Sequence, residues 1–151
     1  MPILIDGHNL IGRLPGLSLD DPDDEEKLVR LLVSYQARTG KAITVIFDPG
    51  ADSSLPRTRR TGKVQAVFAR PGGSADALIA RRVRQNKQPA GLLVVTSDRA
   101  LRDAVERMGA RTRSAEDFVS ELEADPTAPS DWRDQPPSPD EDGAGSIATF
   151  V

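Results

Sequence analysis

ILIDGHN, residues 3–9, decides how this chain is read. Ile3, Leu4 and Ile5 form a short apolar run of the kind buried on both faces of a parallel sheet, and Asp6, Gly7, His8 and Asn9 follow at once as a turn. A strand that stops on a carboxylate has two readings. Asp6 either organises the turn through local backbone hydrogen bonds, as Asp and Asn do, or stands at the carboxyl end of a strand, where α/β sheets hold their ligands. The same ending recurs: KAITVIFD (41–48) is a second strand closing on Asp48, and GLLVVTSD (91–98) is a further one closing on Asp98.

Helical patterns separate these strands. Asp21 reads as an N-cap with Pro22 at the first helical position; Leu28, Leu31, Leu32 and Tyr35 then share a face, and Gly40 ends the helix. The acids from Asp20 to Glu26 suit that helix's positive N-terminal end. PGADSSLPRTRRTG (49–62) has no periodicity and reads as a long mobile loop before a short strand, VQAVFA (64–69). Ser74 caps a helix with Ala75, Leu78, Ile79 and Val83 facing inward. Leu101, Val105 and Met108 pattern another, ending at Gly109; a short RTR strand (111–113) follows, and Ser114 with Asp117 opens a last helix through Phe118 and Leu122. Strands alternating with helices predict an α/β domain over residues 1–123, a parallel sheet with helices on both faces. Residues 124–151 are rich in Pro, Asp, Ser and Gly and are expected to form an acidic disordered tail, with Trp132 and the terminal IATFV as short anchors.

The chain's 151 residues suffice for one such domain with a real core. Its lack of cysteine excludes disulfides, thiolate nucleophiles and Cys-ligated zinc, and fits a reducing cytoplasm. No basic-flanked leader is visible and no apolar run approaches the roughly 18 residues of a membrane span, so a soluble cytoplasmic protein is expected. The net charge of −3 conceals an uneven distribution. The tail carries −5 of it, whereas Lys41 to Arg113 holds fifteen Lys and Arg against six acids, a stretch able to attract a polyanion.

Asp76, two residues after the Ser74 cap, adds a fourth carboxylate. Each acid has an ordinary explanation: Asp76 complements a helix dipole and Asp98 caps a helix. Gathered at one sheet edge they would lower stability unless a cation or proton neutralised them. Carboxylates without Cys or several His are the ligands of hard cations, so Mg²⁺ or Mn²⁺ is implied, with activation of water against a phosphodiester as its chemistry. His8, the single histidine, reads as a general acid or base or, more simply, as a turn residue behind the ligands. Asn9 reads as orienting a carboxylate or water, or as turn geometry.

ILIDGHNLIG (3–12), VIFD (45–48), SADALIARRV (74–83) and VVTSDRAL (94–101), in that order and spacing, resemble the YacP-like branch of the NYN domain proteins, relatives of the PIN-like nucleases. The resemblance implies a PIN-like fold and metal-dependent RNA endonuclease activity, and maps the acidic site onto Asp6, Asp76 and Asp98 with Asn9 and Asp48 in support. Many broader NYN proteins carry a further aspartate where this chain has Ala100, which leaves one-metal and two-metal chemistry both open.

Arg57, Arg59, Arg60 and Lys63, read as one loop, are expected to grip RNA phosphates without reading sequence; Arg70 ends the strand that follows, and Arg81, Arg82, Arg84 and Lys87 on the next helix read rather as a solvated face. With four Phe, one Tyr and one Trp there is little base-stacking surface, so selectivity is expected from RNA shape or from a partner such as the translation machinery. Three functions follow in order: a metal-dependent endoribonuclease, an RNA-binding module with a degenerate site, and a small-molecule phosphatase. The last is disfavoured because His8 stands where that chemistry wants a second aspartate.

Overall fold

The computed structural model describes residues 2–17, 23–50 and 57–124. The predicted cap at Asp21 and Pro22, the stretch 51–56, and the tail from Asp125 on, with Trp132 and IATFV, lie outside them. The chain runs β1 (Ile3–Asp6), α1 (Gly7–Ile11), α2 (Asp23–Thr39), β2 (Ile43–Phe47), β3 (Thr58–Thr61), β4 (Val64–Phe68), α3 (Ala75–Gln85), β5 (Leu93–Val95), α4 (Arg99–Arg107), β6 (Arg111–Arg113) and α5 (Ala115–Glu123). The strands form one sheet in the order β3, β4, β2, β1, β5, β6.

The alternation of side chains along β1 builds the two layers. Ile3 and Ile5 enter a core with Leu10, Leu28, Leu32, Tyr35, Phe118 and Leu122, on the side of α1, α2 and α5. Leu4 points the other way, to Ile79 and Val83 of α3 and Leu101 and Val105 of α4. Ile46 and Val94 repeat Leu4's direction on the neighbouring strands, which explains why these strands read as unbroken apolar runs. Leu78, expected to face inward, is only partly buried.

Two expectations are corrected. The sheet is mixed: β1, β2, β4, β5 and β6 run parallel, while β3 pairs antiparallel with β4. The end of the segment that its composition predicts as loop is ordered, because Thr58–Thr61 is a strand joined to β4 by a tight turn in which Gly62 takes φ +58°. Such an edge strand needs no apolar alternation and carries charge that discourages pairing with other chains, so its arginines hide it. The register places Arg59 opposite Ala66 and Arg60 opposite Gln65, so the two project to opposite faces and cannot act as one cluster.

The predicted turn at Gly7 to Asn9 is instead a helix entered directly from β1. Gly7 is required for space: a Cβ there would run into the Phe47 ring, with Val45 also close. Gly7→Ala is therefore expected to destabilise the fold by about 1–3 kcal/mol, the usual range for overpacking. An unchanged denaturant midpoint would show that Phe47 yields freely.

Candidate functional site

β1 is flanked by β2 and β5, and the chain leaves it in one direction toward β4 before returning on the other side at β5. That reversal opens a crevice at the carboxyl ends of the strands. Four of the expected acids border it. Asp6 is the last residue of β1, Asp48 follows β2, Asp76 lies in the first turn of α3, and Asp98 caps α4.

Asp6 does not cap α1 with its side chain. Only 6 % exposed, it accepts a hydrogen bond from the hydroxyl of fully buried Thr96, at 3.0 Å. Burial is the main reason its carboxyl is pushed up to about 6; the charges of Asp76 and Asp48 add to that, while Thr96 and the Asn9 backbone pull it down. Asp76 is raised as well, first by burial and then by the charges of Asp98 and Asp48, and its carboxyl lies within hydrogen-bonding reach of both Asp98 and Asp6. Asp6, Asp76 and Asp98 thus form one chain of carboxyls. The Thr96 hydroxyl ties its ends together, donating to Asp6 and accepting the Asp98 backbone N–H at 3.1 Å.

Asp98 does serve as the helix cap that its sequence suggests, accepting from the Leu101 N–H at 3.0 Å. Capping and membership in the acidic chain are compatible, since a carboxylate has two oxygens. Asp48 stands to one side with both oxygens engaged. Oδ1 accepts the Ala75 N–H at 2.9 Å, which anchors the start of α3, and Oδ2 meets His8 Nδ1 at 3.2 Å.

The other His8 nitrogen, Nε2, meets Glu25 on α2 at 2.6 Å. Two carboxylate partners favour the imidazolium with both N–H groups donating, and the His8 pKa is raised, chiefly by Glu25. His8 as placed has no free N–H for a substrate, so its geometry matches the turn-side reading. The stability it contributes is full below the unfolded value of about 6.5 and is lost as pH rises through the higher folded value. Glu25→Gln should lower the His8 pKa, read by NMR from the chain's single histidine; no shift would mean that this pair does not hold in solution.

Asn9 faces the other flank. Its amide oxygen accepts the Ser97 N–H at 2.8 Å, and the Ser97 hydroxyl binds Glu116 and accepts the Ala115 N–H at 2.8 Å. Arg13 closes the circuit, donating to Glu116 at 2.8 Å and to the Asn9 carbonyl at 3.1 Å. Glu116 is held down at about 2 by the Ser97 hydroxyl and then by Arg13. Asn9 therefore locks the β5–α4 connection to α1.

Thr96, Glu25 and Glu116 escaped the sequence reading. Thr96 had a signal, a polar residue directly after an apolar strand. Glu25 had none, because its acid cluster was already explained by the helix end and its partner lies in another element. Arg59 and Arg60, by contrast, sit at the sheet's edge, three strand spacings or roughly 14 Å from β1. Arg59 is stacked over the Phe68 ring at 4.7 Å.

The acidic donors are all hard oxygens, and Asp6, the buried one of the three, is disfavoured in its charged form by burial and by the charges of Asp76 and Asp48, so their chemistry fits a hard divalent cation. Among the described residues, no group of three or more His, Asp or Glu side chains is yet placed so that it could hold a metal ion. Coordination would need side-chain rotation. Among the same residues, no helix is long and apolar enough to cross a membrane.

Known proteins share this fold. The chain is 28% identical over 128 residues to the uncharacterized protein YacP of Bacillus subtilis (strain 168), covering 80% of this chain and 74% of that one. The crystal structure of Rae1 (YacP) from Bacillus subtilis superposes with a TM-score of 0.67 at 27% identity, over 82% of this chain and 74% of the other. Its W164L mutant gives 0.64 at 27% identity, over 82% and 76%. The family model for the YacP-like NYN domain matches residues 3–136. With that match over most of the chain and the shared mixed α/β sheet, the protein belongs to the YacP-like NYN domain family, within the PIN-like nuclease superfamily.

Proposed function

We propose that this protein is a divalent-metal-dependent endoribonuclease acting in the cytoplasm, in RNA decay or processing. The observation that carries the reading is the Asp76 carboxyl set between Asp6 and Asp98 at the crevice. Mg²⁺ or Mn²⁺ held by Asp6, Asp76 and Asp98 would supply an activated water and stabilise charge on the phosphodiester. Thr96 holds Asp6 and the start of α4 in one frame. Asp48, assigned to the metal site with the others, acts here through the α3 N-terminus that carries Asp76. His8 offsets part of the negative charge from behind. Asn9 fixes the loop bearing Asp98. Arg57, Arg60 and Lys63 remain candidates for contact with outlying phosphates.

A second reading, an RNA-binding module without catalysis, is favoured by Ala100, exposed in the first turn of α4. One experiment separates them: structured and unstructured RNAs incubated with Mg²⁺, Mn²⁺ or EDTA, with product ends mapped. Internal cuts that need metal support the nuclease; retention without cuts selects the binding module, and phosphate release from small metabolites selects a phosphatase. Cuts found only when translating ribosomes are added would show that the translation machinery presents the substrate.

A further inference from the structure

The fold splits the arginines that lie together in sequence and gathers a different set. Arg57 just before β3, Arg70 between β4 and α3, and Arg81 and Arg82 on α3 line one open cleft of about 350 Å³ whose walls include Phe68 and Leu78. No Asp or Glu among the described residues lines it. Among the described residues, none of the four arginines has an ion-pair partner. A concave surface with four guanidinium groups concentrates anions, and the planar guanidinium matches phosphate oxygens two at a time.

The position of the cleft identifies its anion. It lies at the start of α3, where Asp76 belongs to the acidic chain and the next residue, Ala77, lines the cleft. A single polyanion crossing the first turn of α3 would meet both. The volume is near the lower end of the range of about 300–1,000 Å³ for ligand sites, which suits a short length of one strand. A double-stranded RNA would have to be recognised across successive minor grooves, a much broader surface.

We propose that this cleft binds the sugar-phosphate backbone of single-stranded RNA, next to the bond presented to the acidic centre. The inference rests on the RNA reading above for the identity of the polyanion. It gives Arg81 and Arg82 a binding role in place of the solvated face that their sequence suggests, and it separates Arg57 from Arg59 and Arg60. These contacts would set the strand's register on the protein without reading its bases.

The test measures binding without cleavage. The full chain carrying Asp6→Asn is titrated in EDTA with a fluorescent single-stranded RNA and with its duplex, from about 50 to about 200 mM salt. Arg57→Gln, Arg70→Gln, Arg81→Gln and Arg82→Gln together should reduce the single-strand slope of log affinity against log salt by about 0.7 per lost contact, up to about 3. Lys at the same four positions should keep most of the slope, and the duplex should bind more weakly than the single strand. Arg107→Gln with Arg111→Gln, toward the opposite sheet edge, should leave the slope unchanged. Should the fourfold variant fail to fold, the pairs Arg57/Arg70 and Arg81/Arg82 are measured separately, each expected to remove about half the effect.

An unchanged slope in the cleft variants, an equal fall in the opposite-edge control, a duplex bound as tightly as the single strand, or no single-strand binding at all would each overturn the proposal. Because nothing is cut in this assay, a protein that proves not to be a nuclease can still show the cleft. A protein that cleaves RNA with an unchanged slope loses the cleft alone.

Discussion

Asp6→Asn, Asp76→Asn and Asp98→Asn are each expected to lower metal-dependent RNA cleavage by about a hundredfold or more, the scale of losing one preorganised charge-stabilising group. The fold should survive in all three. Asn at position 98 remains a good helix cap, and Asn at position 6 still offers an oxygen to the Thr96 hydroxyl. Stability of the metal-free protein should even rise for Asp6→Asn. The Asp6 carboxyl is pushed from its ordinary 3.8 to about 6, so between those values the folded state binds more protons than the unfolded state, and stability falls as pH rises. The penalty is absent below both values and complete above about 6, where two units correspond to about 3 kcal/mol. Denaturation in EDTA should therefore show a gain of that order near pH 7 and little gain near pH 4. Equal gains at both pH values would mean that Asp6 does not carry the strain, and wild-type cleavage by all three folded variants would move catalysis to another site.

Thr96→Val is expected to do the reverse, destabilising the protein by about 1–3 kcal/mol at nearly constant volume. Its hydroxyl is the only part removed, but that hydroxyl serves both Asp6 and the Asp98 N–H in a fully buried position. Without it the Asp98 N–H loses its acceptor, and Asp6 loses the hydrogen bond that most favours its charged form. The Asp6 pKa should consequently rise further in the metal-free variant, measurable by carboxyl-carbon NMR. Thr96→Ser keeps the hydroxyl and should restore the wild-type Asp6 value even if its smaller volume costs some stability. If Val and Ser variants gave the same Asp6 titration, Thr96 would be a packing residue only.

The alternation of apolar strands with capped helices was legible from the first residues because it depends on short-range chemistry. The Ser74 and Ser114 caps accept the N–H groups of Ala77 and Asp117 as their spacing implies, and Gly40, with φ +72°, ends α2. The acids at strand ends were legible for the same reason: a carboxylate after an unbroken apolar run leaves few places for the chain to go but the rim of a sheet. The edge strand β3 was not legible, since an edge strand carries charge and lacks the apolar pattern that betrays a central one. Nor could sequence tell which carboxylates adjoin one another and which are tied elsewhere. Asp48 and Asp76 look alike as letters, yet one spends both oxygens on Ala75 and His8 while the other lies between two carboxyls. The same holds for the bases, where Arg57 and Arg82 line one cleft although Arg59 and Arg60, adjacent in sequence, face opposite ways. Local spacing determines an element and its cap; which side chains meet depends on strand order and register, and those follow only from packing the whole sheet.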